Sequence, residues 1–146
     1  MTSTIRKRNI LFLEESNACL SQMAEAMAKH LNPPKIRVFS AGVQPTRIRP
    51  EVYNVMAEIG ISLQGQSSKQ VADVPLNDID LVISFGDADR KCATLPSNAK
   101  IERWSIPNVE PTDSKELSGL NLYRQKRDEI DKRVFALFMD YWRNVA

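Results

Sequence analysis

Residues 9–13 form a short apolar run, and the polar stretch 14–18 gives way to apolar positions at Met23, Ala24, Met27 and Leu31. That spacing has the 3.6-residue period of a helix, so the segment predicts strand, loop and helix in succession. Pro33 and Pro34 end the helix, since a proline nitrogen has no hydrogen to give the ladder. Residues 36–39 then predict a second strand, closed by Ser40, Ala41 and Gly42. A second helix is predicted over residues 50–59. It starts on Pro50, which suits a first turn, and sets Val52, Val55, Met56 and Ile59 on one face.

The stretch 60–75 is polar and rich in turn residues. After it, Leu81, Val82, Ile83, Ser84 and Phe85 make the nearly unbroken apolar run of a strand covered on both faces. Residues 100–104 read as a weaker fourth strand. A long helix from Leu120 to about Arg143 keeps Ile130, Val134, Leu137, Phe138 and Tyr141 in register. Its second apolar line, Phe135, Met139 and Trp142, spreads the apolar arc over about half the circumference. Either that line packs under a loop, or it is a surface for a protein partner or a second copy. Strands alternating with helices predict an α/β fold with a parallel sheet and helices on both faces. Ligands in such sheets bind at the carboxyl ends of strands, where strand order reverses, which directs attention to residues 14–20.

Length and composition narrow the function. A chain of 146 residues suits one domain over 1–146 and can bury ~70% of its unfolded surface. With 42% hydrophobic and 26% charged residues and no repeat or low-complexity tract, it reads as globular. Twenty basic against eighteen acidic residues leave a net charge of +2, too little to argue for nucleic acid or an anionic membrane. Arg6, Lys7 and Arg8 read as solvating the start of the chain. No signal peptide or membrane span is visible, because the run at 10–13 is too short and nothing later nears ~20 apolar residues. A cytoplasmic location is expected. Cys19 and Cys92 are too few and too far apart for a disulfide framework, so reduced thiols are expected.

A loop running from a strand into a helix offers backbone N–H groups and the positive end of the helix dipole, which together cradle an anion. Phosphoryl or arsenate chemistry there also needs a thiolate at the strand's end, an arginine to grip the oxyanion with two hydrogen bonds, and an acid for the leaving group. The stretch ILFLEESNACLSQMAEA, residues 10–26, is similar to the signature of low-molecular-weight tyrosine phosphatases and thioredoxin-coupled arsenate reductases. Those run from an apolar strand into C-x-x-N-x-C-R-S and then a helix opening on Q-M-A-E-A or P-M-A-E-A. The resemblance extends through Phe39-Ser40-Ala41-Gly42, Glu58-Ile59-Gly60-Ile61, Ser68-Lys69, Asp80-Leu81-Val82, Asp87-Ala88-Asp89, Leu95-Pro96, Trp104 and Arg127-Asp128-Glu129-Ile130. It implies a three-layer αβα domain with a four-stranded parallel sheet of order 2-1-3-4.

The catalytic residues of that pattern are replaced here. Glu14 stands at the cysteine position, Leu20 at the arginine position and Asn108 at the general-acid aspartate. Of the two relay cysteines of the reductases, the first matches Phe85 and only Cys92 remains. The loop itself, Glu14, Glu15, Ser16, Asn17, Ala18, Cys19, Leu20 and Ser21, keeps the asparagine, the second cysteine and the serine. Some arsenate reductases hold a potassium ion beside this loop. The match implies Asn17, Glu25 and Ser40 among its ligands, with Lys69 in place of the fourth, so that an ammonium supplies the charge and neither metal nor cofactor is expected.

Two placements of the acid follow. The Glu14 or Glu15 carboxylate folds into the nest and fills the anion site, or Glu14 points to solvent. The sequence leaves both open. A catalytic Glu14 would need a matched acid, for which only Glu110 and Asp113 follow on the Asn108 loop. Cys19 reads as a packed structural thiol and Cys92 as a structural or idle one. Arg47 and Arg49 read as solvated, with recruitment of an acidic partner as the alternative, and His30 as complementing a helix dipole. The resulting expectation is an inactive binding or regulatory homologue. The alternative is an enzyme of the family with altered or residual phosphatase or arsenate-reductase activity.

Overall fold

The computed structural model describes residues 8–31, 35–109 and 119–145, with Arg8 and residues 141–145 described by backbone only. Arg6, Lys7, Pro33, Pro34, Glu110 and Asp113 lie outside the described residues, as do the side chains of Tyr141 and Trp142. Four strands, β1 (Arg8–Glu14), β2 (Ile36–Gly42), β3 (Leu81–Phe85) and β4 (Lys100–Trp104), form one sheet ordered β2-β1-β3-β4, and all three pairings are parallel. Helices α1 (Leu20–Leu31), α2 (Pro50–Ala57) and α3 (Gly119–Val145) complete the main elements.

Side-chain alternation along β1 divides the interior. Ile10 and Phe12 enter the larger core with Met23, Val52, Val55, Met56, Ile130, Val134 and Phe138 from the three helices, whereas Leu11 and Leu13 face the opposite side. That opposite face is covered by 3-10 helices at Val71–Asp73, Leu76–Asp78 and Ala88–Lys91 and by the loops around them. Helices thus lie on both faces, long on one and single-turn on the other. By the same parity Glu14, the last residue of β1, points to the α1 side, and it is 3% exposed.

Two expectations are corrected. The second helix stops at Ala57, and Gly60 turns the chain with φ +75, so Ile59 leaves the apolar face and is 39% exposed. Glu14 belongs to the strand and not to a polar loop. On α3, Phe135 and Met139 are exposed, at 53% and 38%. Among the described residues no helix is long and apolar enough to cross a membrane.

Helices α2 and α3 are joined by an ionic cluster at Glu58. Arg124 grips this carboxylate through Nε and Nη2 at 2.6–3.0 Å, and Arg127, buried on α3, donates to it at 2.7 Å and to the Val55 carbonyl at 2.9 Å. These hydrogen bonds, Arg124 first and Arg127 second, lower the Glu58 pKa from an ordinary 4.5 to about 2. A depressed carboxyl contributes stability that is complete above the unfolded value and is lost as pH falls towards the folded one. We therefore expect Glu58→Gln to lose less stability than the wild type between pH 4.5 and about 2, measured by urea unfolding across that window. Parallel pH profiles would refute the linkage.

Candidate functional site

The chain leaves β1 for one edge of the sheet and later crosses to the other, so the carboxyl end of β1 is the point of reversal. There residues 15–19 loop into α1. The backbone N–H groups of Ala18, Cys19, Leu20 and Ser21 all donate to the Glu14 carboxylate, at 3.2, 3.2, 3.3 and 3.2 Å. The Ser21 hydroxyl adds a bond of 2.7 Å to Oε1, and the Asn108 amide adds one of 2.7 Å to Oε2. Six donors and the positive end of α1 thus surround one buried carboxylate, and the anion site at the strand's end is filled from within. Glu15 points outward, exposed, and accepts a bond of 3.2 Å from Lys91.

Asn17 holds this geometry. It takes a left-handed conformation, φ 49, which asparagine tolerates better than most residues. Its Nδ2 donates to the hydroxyls of Ser21 and Ser40, at 2.9 and 3.0 Å, and its Oδ1 accepts the Lys69 backbone N–H at 2.9 Å. Each serine in turn donates to an acid, Ser21 to Glu14 and Ser40 to Glu25. From outside, Gln44, Thr46 and Arg49 donate backbone N–H groups to the carbonyls of Glu15, Ser16 and Ala18, at 2.8–3.0 Å. The approach is close enough to require glycine at 42, where a Cβ would lie 2.9 Å from the Asn17 Cβ and 3.0 Å from the Glu15 carbonyl oxygen.

Glu25, also buried, accepts from Ser40 and pairs with Lys29 and Lys69. The Lys69 ammonium sits 3.8 Å from its Oε1 and donates to the Ser40 and Ser67 carbonyls at 3.1 and 2.9 Å. Burial lowers the Lys69 pKa, and the Glu25 charge raises it in opposition. Among the described residues no group of three or more His, Cys, Asp or Glu is gathered for a metal ion.

The other predicted positions separate. Leu20 is buried in the helix-side core, away from solvent. Cys19 packs in the same core, where burial first, and the Glu14 charge second, push its thiol far above the ordinary range. Phe85 lies on that face, in an aromatic group with Phe12 and Trp104 at centroid separations of 6.5 and 5.8 Å. Cys92, half-buried, packs on the other face. Arg47 is exposed, but Arg49 is half-buried and donates to the Val109 carbonyl and, at 3.2 Å, to the Tyr123 hydroxyl. Its expected solvation is corrected by these acceptors. His30 sits exposed in the last turn of α1.

Sequence reasoning assigned no role to Gln22. Fully buried, it donates to the Asn17 and Ser67 carbonyls at 3.0 and 3.1 Å and accepts from Gln66 at 2.8 Å. Its signal in the sequence is the glutamine of the Q-M-A-E-A motif, a long amide that shares its helix face with Glu25 and Lys29. Ser68 also supports the loop, its hydroxyl donating to the Asn17 carbonyl at 2.6 Å.

A parallel αβα sheet with an anion nest between its first strand and first helix defines a class of phosphate-loop proteins. Within that class, the family model for low molecular weight phosphotyrosine protein phosphatase matches residues 9–144, and the chain belongs to this family. Its relatives include an arsenate reductase of Bacillus subtilis (strain 168), 34% identical over 126 residues, covering 86% of this chain and 91% of the reductase. An arsenate reductase of Shouchella clausii (strain KSM-K16) is 33% identical, with 88% and 93% covered. A solved arsenate reductase in the phosphate binding state superimposes with a TM-score of 0.73 at 32% identity, covering 91% of this chain and 98% of its own.

Two outcomes check this site. Lys69→Met removes the ammonium from its oxygen neighbours but leaves Lys29 on Glu25, so we expect a loss of ~1–3 kcal/mol in urea unfolding. A loss below ~0.5 kcal/mol would show that Lys69 is only a surface side chain. Thiol labelling of the native protein with an aromatic disulfide reagent should modify Cys92 alone, and unfolding should expose Cys19. Equal labelling rates in the native state would contradict the buried thiol.

Proposed function

We propose that this chain is a catalytically silent member of its family, a binding or regulatory module that keeps the phosphate loop in its loaded shape. One observation carries the reading. The carboxylate of Glu14 takes the four amides, the Ser21 hydroxyl and the Asn108 amide that an oxyanion substrate would need. A second anion brought there would meet a like charge, and position 20 offers it a buried leucine in place of a guanidinium. The nest therefore repels the substrates of phosphatase and arsenate-reductase chemistry. The six donors that converge on Glu14 support the reading of its carboxylate as a tethered anion. A carboxylate nucleophile in the same place would have to leave its six donors to reach an electrophile, and nothing compensates that step.

What such a module binds follows from surfaces outside the nest. Exposed Phe135 and Met139 on α3 fit the reading of a protein partner or second copy, with Trp142 as the third position of that line.

The wild type should hydrolyse an aryl phosphate and reduce arsenate at rates at least ~100-fold below an ordinary enzyme's ~10 s⁻¹, and calorimetry should find no phosphate binding below ~1 mM. The triple variant Glu14→Cys, Leu20→Arg, Asn108→Asp should bind phosphate and gain aryl phosphatase turnover. Wild-type turnover in the ordinary range, or micromolar phosphate affinity, would overturn the proposal.

A further inference from the structure

The segment after β4 lies over the nest, and its contacts form one continuous chain. The Asn108 Nδ2 donates to Glu14 Oε2 at 2.7 Å, and its Oδ1 accepts the Val109 backbone N–H at 2.9 Å. The Val109 carbonyl accepts from the Arg49 guanidinium, which also donates to the hydroxyl of Tyr123 on α3 at 3.2 Å. Asn108 thus joins the filled nest to segment 105–109 and, through Val109 and Arg49, to Tyr123 on α3, beside the direct backbone bonds that segment 44–49 makes to the loop.

The chemistry of this link depends on which residue carries the charge. Glu14 is acceptor-only when ionised, and each Oε2 partner must donate. Asparagine has both the donor that Glu14 needs and the acceptor that the Val109 N–H needs. An aspartate at 108 would keep the acceptor but set a second carboxylate at hydrogen-bond distance from the first, where like charges disfavour each other. Glu14 and Asn108 therefore fit as a pair: the acid at one end makes the amide necessary at the other.

We infer that Glu14 and Asn108 form an internal latch that holds segment 105–109 shut over the loop with no external oxyanion, so that the closed mouth is the resting state of this protein. Asn108 is a positioning residue in this device, acting through Glu14 and Val109. The inference deepens the proposed function and rests on its tethered anion. It adds that the closed shape is set from inside, and that a partner at the mouth meets one fixed surface whether or not phosphate is present.

Ile106 and Val109 are also buried, and apolar packing alone is the competing explanation for the segment's placement. Hydrogen exchange separates the two. In the wild type, protection of segment 105–109 should be unchanged by inorganic phosphate at 10 mM, roughly tenfold the affinity bound set above. In Asn108→Ala, which leaves the nest donors of α1 in place, exchange of that segment should accelerate at least ~10-fold while β1 and β3 stay protected. Unchanged exchange in Asn108→Ala, or wild-type protection that rises with phosphate, overturns the latch.

A reciprocal pair tests the charge argument on the folded protein. Asn108→Asp alone should lower Tm by ~5 °C or more, and Glu14→Gln should cost less Tm when added to Asn108→Asp than it costs in the wild type, because it removes one of two facing carboxylates. A double variant no more stable than the sum of its single changes overturns the pairing. Phosphatase activity in the wild type would remove the silent-module reading, whereas the Asn108→Ala exchange and the Tm outcomes bear on the latch alone.

Discussion

A single carboxylate taken out of water organises this molecule. An ionised acid at 3% exposure is costly unless its oxygens are met, and the Glu14 oxygens are met by four amides, a hydroxyl and a carboxamide. Charge-assisted bonds of this kind are each worth ~1.5–3 kcal/mol net when partners are in place, and their loss leaves the penalty uncovered. The local architecture follows from that need. The parity of β1 aims residue 14 at α1, the left-handed Asn17 turns the loop so that successive N–H groups converge, and Gly42 lets the flanking strand approach near enough to fasten it.

The loop is balanced by a second acid and by lysines. Asn17 gives one amide hydrogen to Ser21 and the other to Ser40, and those hydroxyls point their own hydrogens to Glu14 and Glu25. The two acids are thereby coupled through one side chain, each answered differently. Glu14 has the amides and helix dipole, while Glu25 has the ammonium groups of Lys29 and Lys69. The anion in the nest and the ammonium groups beside Glu25 both belong to the chain.

Much of the fold was legible because it depends on period and parity. The runs at 10–13 and 81–85 and the helical spacing on either side fall within a residue or two of the observed elements, since burial on one or two faces writes itself directly into sequence. What escaped depends on tertiary contact. Ile59 keeps helical spacing, yet the helix has already ended before Gly60. Arg49 has the composition of a solvated loop and finds two acceptors, one of them on α3 and distant in sequence. The location of the site, residues 14–21 between β1 and α1, was legible from the strand-loop-helix pattern. Neither the choice between a buried and an exposed Glu14 nor the partnership with Asn108 is local, because the Asn108 bond closes across 94 residues.

The replacements also differ in physical kind, which bears on how such a protein stays folded. Glu14 and Asn108 answer each other across the nest. Leu20 instead is buried in the core with Met23 and Met27. Burying a leucine side chain contributes ~1.5–3 kcal/mol relative to leaving it in water. An arginine there would have to leave that core for the mouth, where its guanidinium would compete with Asn108 and the amides for one carboxylate. All three side chains are thus held by contacts of their own, Glu14 and Asn108 by their mutual hydrogen bond and Leu20 by the core. A phosphate loop held ready for substrate keeps unpaired donors and a charged side chain at its mouth; this one has satisfied its donors and buried its side chain.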